Sequence, residues 1–156
     1  MSASEIMEPN PTTLKPDDLI GTAADCILTK RYRNVPVVDN EGRFVGIFGV
    51  NCLLKLTLPQ AAIIHKGLDN LTFIHETLAD LLERFNEVKS QPFSTCIDRD
   101  IITVTPDNPL LETLLILYRN KTSIPVVDPE TQKLLGMISY WDVGRHILSA
   151  GENHDA

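Results

Sequence analysis

Most of the features that would send this 156-residue chain to a membrane, a secretory route or a nucleic acid are missing from it. No apolar run approaches the roughly 20 residues of a bilayer-spanning helix. The opening stretch, MSASEIMEPNPTTLKP, has neither the basic start nor the apolar core of a signal peptide. Cysteine is scarce: Cys26, Cys52 and Cys96 are odd in number, scattered and outside CxxC spacing. They read as buried thiols in a reducing compartment, so a cytoplasmic location is expected. Basic charge is outweighed, 14 Lys and Arg against 21 Asp and Glu, and a net charge of −7 argues against general nucleic-acid binding. A small anion remains compatible with the local clusters Lys30, Arg31, Arg33 and Arg119, Lys121, Arg145. The four histidines, His65, His75, His146 and His154, show no metal-ligand spacing. Paired catalytic carboxylates, a nucleophile with its base and a Gly-rich phosphate loop are likewise missing, so no enzyme is expected.

What is present is a repeat. Residues 34–54 read NVPVVDNEGRFVGIFGVNCLL and residues 123–143 read SIPVVDPETQKLLGMISYWDV. Pro36 matches Pro125 at an offset of 89 and Gly46 matches Gly136 at an offset of 90, so the second copy carries one extra residue in its turn. Upstream, Leu14-Lys15-Pro16-Asp17 lines up with Val104-Thr105-Pro106-Asp107. Two copies of one supersecondary unit bury their open faces against each other, which directs attention to the seam between them.

Each copy reads strand, helix, strand, strand, helix. In the first, Thr13–Lys15 is extended and Leu19, Ile20, Ala23, Ala24, Ile27 and Leu28 recur at helical spacing. Val35–Val38 and Arg43–Phe48 flank the turn Asp39–Gly42. In the second, Thr103–Thr105 is extended, Asn108 is the expected cap with Pro109 at the first helical position, and Leu110, Leu111, Leu114, Leu115, Leu117 and Tyr118 form the expected buried stripe. Ile124–Val127 and Leu134–Ile138 then make a hairpin. Between the copies, Ile74, Leu78, Leu81, Leu82, Phe85 and Val88 mark an amphipathic helix expected to pack on the repeats or at a dimer contact. A short helix over Gln60–His65 with Gly67 as its stop precedes it. The expected boundaries are repeat 1 over 1–58, a helical connection over 59–95, repeat 2 over 96–150 and a disordered tail over 151–156, with no third domain.

The pattern of an extended piece, a Pro-led helix, h-P-V-V-D, a short turn and G-h-h-S-x-x-D resembles the cystathionine-β-synthase (CBS) domain, and two in tandem resemble a Bateman module. The resemblance covers about Ile6 to Leu148. It implies an α+β fold of two β-α-β-β-α repeats packed through their sheets with pseudo-two-fold symmetry, and a homodimer. It also implies a regulatory sensor that binds an adenosine-containing ligand (AMP, ADP or ATP, with S-adenosylmethionine or NAD as further options) and acts on an unknown partner protein. No cofactor, nucleic acid or membrane partner is implied.

The family's ligand motif is complete in the second copy as Ser139-Tyr140-Trp141-Asp142. Ser139 can give its hydroxyl to a phosphate beside the free N–H groups of the following helix. Asp142, one turn on, can accept from both ribose hydroxyls, and Arg145, a further turn on, can neutralise phosphate. The same Ser-x-x-Asp is also a helix capping box, with Asp142 reaching back to the Ser139 N–H, and both readings stand at this point. For the adenine ring the resemblance points to Thr105, Lys121, Thr122, Ser123 and Ile124. Thr105 and Ser123 can supply edge hydrogen bonds, and Leu110, Ile124 and Pro125 apolar walls. Thr105 also reads simply as a β-former ending a strand. The first copy departs from the motif: Gly49 stands at the hydroxyl position and Cys52 at the carboxylate position, with the bulkier Lys15 and Tyr32-Arg33-Asn34 around them. That cleft is expected to be empty, weak or used for something else. Tyr140 and Trp141 flank the complete motif, as a dimer contact or packed on their own helix.

Overall fold

The computed structural model describes residues 1–59 and 77–154. The elements run α1 (Ala3–Ile6), α2 (Ile20–Lys30), β1 (Asn34–Val38), β2 (Phe44–Gly49), α3 (Val50–Thr57), α4 (Leu78–Val88), α5 (Leu110–Asn120), β3 (Ile124–Val127), β4 (Leu134–Ile138) and α6 (Tyr140–His154). The repeat in the sequence is a repeat in the backbone. Helices α2 and α5 have equal length, each is followed by a two-stranded hairpin, and each hairpin runs straight into a helix. The extended pieces before the helices shrink to single parallel bridges, Leu14 with Val37 and Val104 with Val126. Each is held by the same two bonds: Leu14 N–H to Pro36 O and Val38 N–H to Leu14 O, then Val104 N–H to Pro125 O and Val127 N–H to Val104 O.

The turns differ as the spacing requires. Gly42 takes a φ of +80° in the first, and Gln132 takes +65° to absorb the extra residue of the second. In both, the leading aspartate gathers the turn. Asp39 accepts from the N–H groups of Glu41 and Arg43, and Asp128 from those of Glu130 and Thr131. The Arg43 N–H holds the Asp39 carboxyl below the usual carboxylate range, and the Glu130 N–H does the same for Asp128. The two turns also exchange bonds reciprocally, Phe44 N–H to Gln132 O and Leu134 N–H to Gly42 O.

Two backbone segments each add a single antiparallel bridge to the edge of a hairpin. Glu8 pairs antiparallel with Met137 through bonds of 2.8 and 3.1 Å, and Asp98 pairs with Ile47 through two of 2.9 Å. The segment leading into repeat 1 thus edges the hairpin of repeat 2, and the segment leading into repeat 2 edges the hairpin of repeat 1. This exchange explains why the compact units cut across the sequence boundaries. One unit holds Met1–Lys15, Pro36–Ile47 and the chain from Asp98 onward; the other holds Pro16–Val35 and the described part of Phe48–Ile97.

In the first unit, Ala3 and Ile6 are buried with Val104, Leu117, Ile124, Val126 and Ile138, so the N-terminal helix fills the core of the second repeat. Its backbone is fastened by Ala3 N–H to Asn108 O, Ser4 N–H to Pro106 O and Leu110 N–H to Met1 O. In the second unit, Phe48 meets Phe93 edge-on at 4.9 Å, and Ile20, Ala23, Ala24 and Ile27 turn the buried face of α2 inward.

Several expectations are corrected here. Pro109 is the N-cap of α5 rather than its first helical residue, and the Asn108 amide instead donates to the buried Thr113 hydroxyl. The buried stripe of α5 is narrower than expected. Leu117 and Thr113 are buried and Leu110 and Leu114 pack against the core, but Leu111, Leu115 and Tyr118 face out. Leu19 and Leu28 of the first repeat face out in the same way. Helix α4 carries a capping box at Thr77 and Asp80, and packs against α3, where Arg84 donates to Thr57 O. Its face is only half covered: Leu81, Phe85 and Val88 are partly buried, whereas Leu78 and Leu82 are exposed. The backbone of α6 continues through His154, four residues into the expected tail, because no proline stops it. The expected helix over Gln60–His65, the Gly67 stop, and Ile74, His65 and His75 lie outside the described residues.

Candidate functional site

The second repeat's motif sits where β4 passes into α6. Ile138 pairs with Ile124 at the end of the β3–β4 ladder, so the next residue out, Ser139, emerges on the same hairpin end as Ser123. Ser139 is half-buried and starts the helix; Asp142 is only 4% exposed. The Asp142 carboxylate accepts the Ser139 N–H at 2.8 Å and the Ser139 hydroxyl at 2.8 Å, while the Asp142 N–H points back to Ser139 Oγ at 3.4 Å. Arg145 ion-pairs with the same carboxylate and reaches Glu8 at 3.9 Å. The capping box is therefore formed, and the guanidinium stands between two carboxylates. An incoming anion would meet Arg145 already neutralised, and an incoming diol would compete for oxygens that Ser139 occupies.

Two cavities open in this repeat. One, of about 250 Å³, is lined by Ile101, Ile102 and Ile124 with Asp100, Asn120, Thr122 and Ser123 at its polar edge. The other, of about 240 Å³, lies along α6 between Asp142, Arg145, His146 and Ser149 and the N-terminal residues Ile6, Met7 and Glu8. The predicted site residues are divided between them and the core. Thr122 and Ser123 line the first cavity, and Asp142 and Arg145 line the second. Thr105 bonds Asp107 through its hydroxyl at 2.6 Å. Leu110 is half-buried against the core, and Pro125 is fully buried, with no face left for a ligand. Asp100, Ile101, Ile102 and Asn120 were not singled out in the sequence, nor was Glu8. The first four flank positions that were, and a wider window around Thr105 and Ser123 would have included them. Glu8 left no local signal, since its place beside Arg145 follows from strand pairing across 129 residues of chain.

Lys121 ends α5 in the left-handed conformation at φ +56°, and Arg31 ends α2 at the same φ. Only glycine adopts this region without steric cost, which for other residues is about 1 kcal/mol. Lys121→Gly is expected to raise the urea midpoint, by about 0.5–1 kcal/mol of stability. A lower midpoint would show that the lysine side chain holds the loop in place.

In the first repeat the motif positions are filled from within. A Cβ on Gly49 would sit 2.6 Å from Asn34 Oδ1 and 3.3 Å from Arg33 O, so no hydroxyl side chain fits there unless Asn34 moves. Cys52, at the carboxylate position, donates its thiol to Cys96 O at 2.8 Å. Tyr140 and Trp141 part company: the Tyr140 hydroxyl donates to Leu117 O at 3.0 Å, whereas Trp141 is 83% exposed. Among the described residues, no group of three or more His, Cys, Asp or Glu side chains is placed to hold a metal ion. Nor is any helix among them long and apolar enough to cross a membrane.

The paired hairpins and their following helices define a tandem β-α-β-β-α repeat protein. The chain belongs to the CBS domain family, whose model matches residues 3–58 and 94–149. Among solved structures, the AcuB protein of Vibrio cholerae superposes with a TM-score of 0.74 at 19% identity, covering 99% of this chain and 96% of that one. CBSX2 from Arabidopsis thaliana superposes at 0.72 with 18% identity, covering 97% and 96%, and a complex of CBSX2 with AMP at 0.70 with 20% identity, covering 96% and 98%. An inosine-5′-monophosphate dehydrogenase of Methanocaldococcus jannaschii is 25% identical over 142 residues. That match takes in 90% of this chain but 22% of the dehydrogenase, so the chain spans about a fifth of that relative's length.

Proposed function

We propose that this protein is a regulatory module that senses an adenosine nucleotide through its second repeat and acts on a partner protein in trans. The observation that carries the reading is the end of the β3–β4 hairpin. An isoleucine-walled cavity with Asp100, Asn120, Thr122 and Ser123 at its rim has the dimensions and chemistry of a base pocket. Ser139 and the first turn of α6 lie at the same hairpin end, where ribose and phosphate would follow. AMP bound to CBSX2, a protein of the same fold, supports the choice of ligand class. Binding shifts the population of arrangements only by its difference in affinity for them, and here it would do so by drawing Asp142 and Arg145 away from Ser139 and Glu8. Thermal unfolding in the presence of AMP, ADP, ATP, NAD and S-adenosylmethionine tests the proposal. A ligand at a hundred times its dissociation constant adds about 2.7 kcal/mol, and no shift with any of the five would sink it.

The completed capping box favours a second reading, in which Ser139 and Asp142 only start a helix and the module serves protein association. Both readings place a second copy of the chain on the outward apolar side chains of α5 and α6, which include Leu111, Tyr118, Trp141 and Leu148. The double variant Tyr118→Glu with Trp141→Glu is expected to sediment as a monomer where the parent sediments as a dimer. A dimer that survives both charges would put the contact elsewhere.

A further inference from the structure

In the first repeat the carboxylate of the motif is replaced by a thiol, and that thiol is not alone. Cys52 stands in the first turn of α3 with its Sγ 2.8 Å from the carbonyl oxygen of Cys96, the last residue of the short 3-10 turn Ser94–Cys96. The juxtaposition is built into the repeat. Cys96 lies 90 residues after Ile6, and Ile6 lines the cavity beside Asp142 just as Cys96 lies beside Cys52. The backbone on the Cys96 side is fixed: Cys96 N–H bonds Phe93 O at 2.7 Å, and Phe93 is fully buried against Phe48. Two residues on, Asp98 is strapped to Ile47 by two backbone bonds. Both cysteines are half-buried rather than sealed in the core.

We propose that Cys52 and Cys96 form a reversible disulfide, a redox modification site in the repeat that has lost its ligand carboxylate. A disulfide needs Cβ atoms about 3.5–4.5 Å apart, and the Cys52 sulfur lies 2.8 Å from the Cys96 carbonyl oxygen, so closing the bond requires the Cys96 side chain to turn toward it. The oxidant is a small-molecule disulfide such as oxidised glutathione. The Cys52 thiolate attacks one of its sulfurs, expelling one glutathione thiolate and leaving a mixed disulfide on Cys52. The Cys96 thiolate then attacks the Cys52 sulfur and expels the second glutathione. The two thiol protons pass to the two departing thiolates, and two electrons pass from the protein to the reagent. The closed ring spans the connection between the repeats and restrains the unfolded chain, so oxidation stabilises. Nothing in this depends on nucleotide binding.

The test equilibrates the intact chain in oxidising and then reducing glutathione buffers, blocks remaining thiols, and maps linked peptides by mass spectrometry. The expected result is a Cys52–Cys96 peptide pair lighter by two hydrogens, with a thermal midpoint raised by roughly 5 °C or more, both reversed on reduction. Cys52→Ser and Cys96→Ser should each lose the midpoint rise, and Cys26→Ser should keep it. The peptide map on the unaltered chain decides the matter even where a variant folds poorly. A glutathione adduct on Cys52 that Cys96 does not resolve, a link through Cys26, or two thiols left unlinked would each overturn the proposal.

Discussion

On the proposed reading, Asp142→Asn is expected to remove most of the thermal stabilisation produced by an adenosine ligand while leaving a folded protein. The choice of asparagine follows from the structure. Asp142 is 4% exposed and its carboxylate takes two bonds from Ser139, so alanine would remove one half of the capping box, destabilise the start of α6 and blur the result. The asparagine carbonyl still accepts the Ser139 N–H, and the variant loses mainly its charge toward Arg145. Against ligand the loss is larger. Two ribose hydroxyls bonded to a charged acceptor contribute about 1.5–3 kcal/mol each, so exchanging it for a neutral one lowers affinity by roughly two orders of magnitude. The measurement is the midpoint shift of parent and variant at one nucleotide concentration. Equal shifts would mean that Asp142 is a cap alone and that the ribose lies elsewhere.

Gly136→Ala has the largest expected effect on stability. Its Cβ would meet Glu8 O at 2.6 Å, Met7 Sδ at 2.7 Å and Met7 Cγ at 2.9 Å. The thioether can swing aside, but the carbonyl belongs to the strand bridge with Met137 and cannot move without breaking it. Detaching that strand also loosens the helix that buries Ala3 and Ile6 in the core of the second repeat. A loss of about 2–4 kcal/mol is expected in equilibrium urea unfolding, with faster amide exchange at Glu8 and Met137. Gly144→Ala is the control: nothing lies within 4 Å of its Cβ, and alanine in a helix interior is worth about 1 kcal/mol over glycine. An unchanged midpoint for Gly136→Ala would show that the N-terminal strand yields without cost.

The sequence by itself determined the repeat, the hairpins and the helix after each, because these follow from periodicity and turn chemistry within a few residues. Pro36 and Pro125, the aspartates that gather the turns, and the Ser139–Asp142 spacing were legible for that reason. Which side of each helix is covered was less so. Leu111 and Leu115 are as apolar as Leu117, and only their neighbours in three dimensions leave them in solvent. The same holds for the candidate site. Ser139 and Asp142 could be named from the motif, but that Arg145 is held between Asp142 and Glu8, that Asn34 fills the space over Gly49, and that Cys52 rests on Cys96 depends on pairings between segments far apart in the chain. Strand exchange is decided by backbone hydrogen bonds, which carry no side-chain signature. The local pattern therefore named the elements, and the tertiary structure decided which of them face one another.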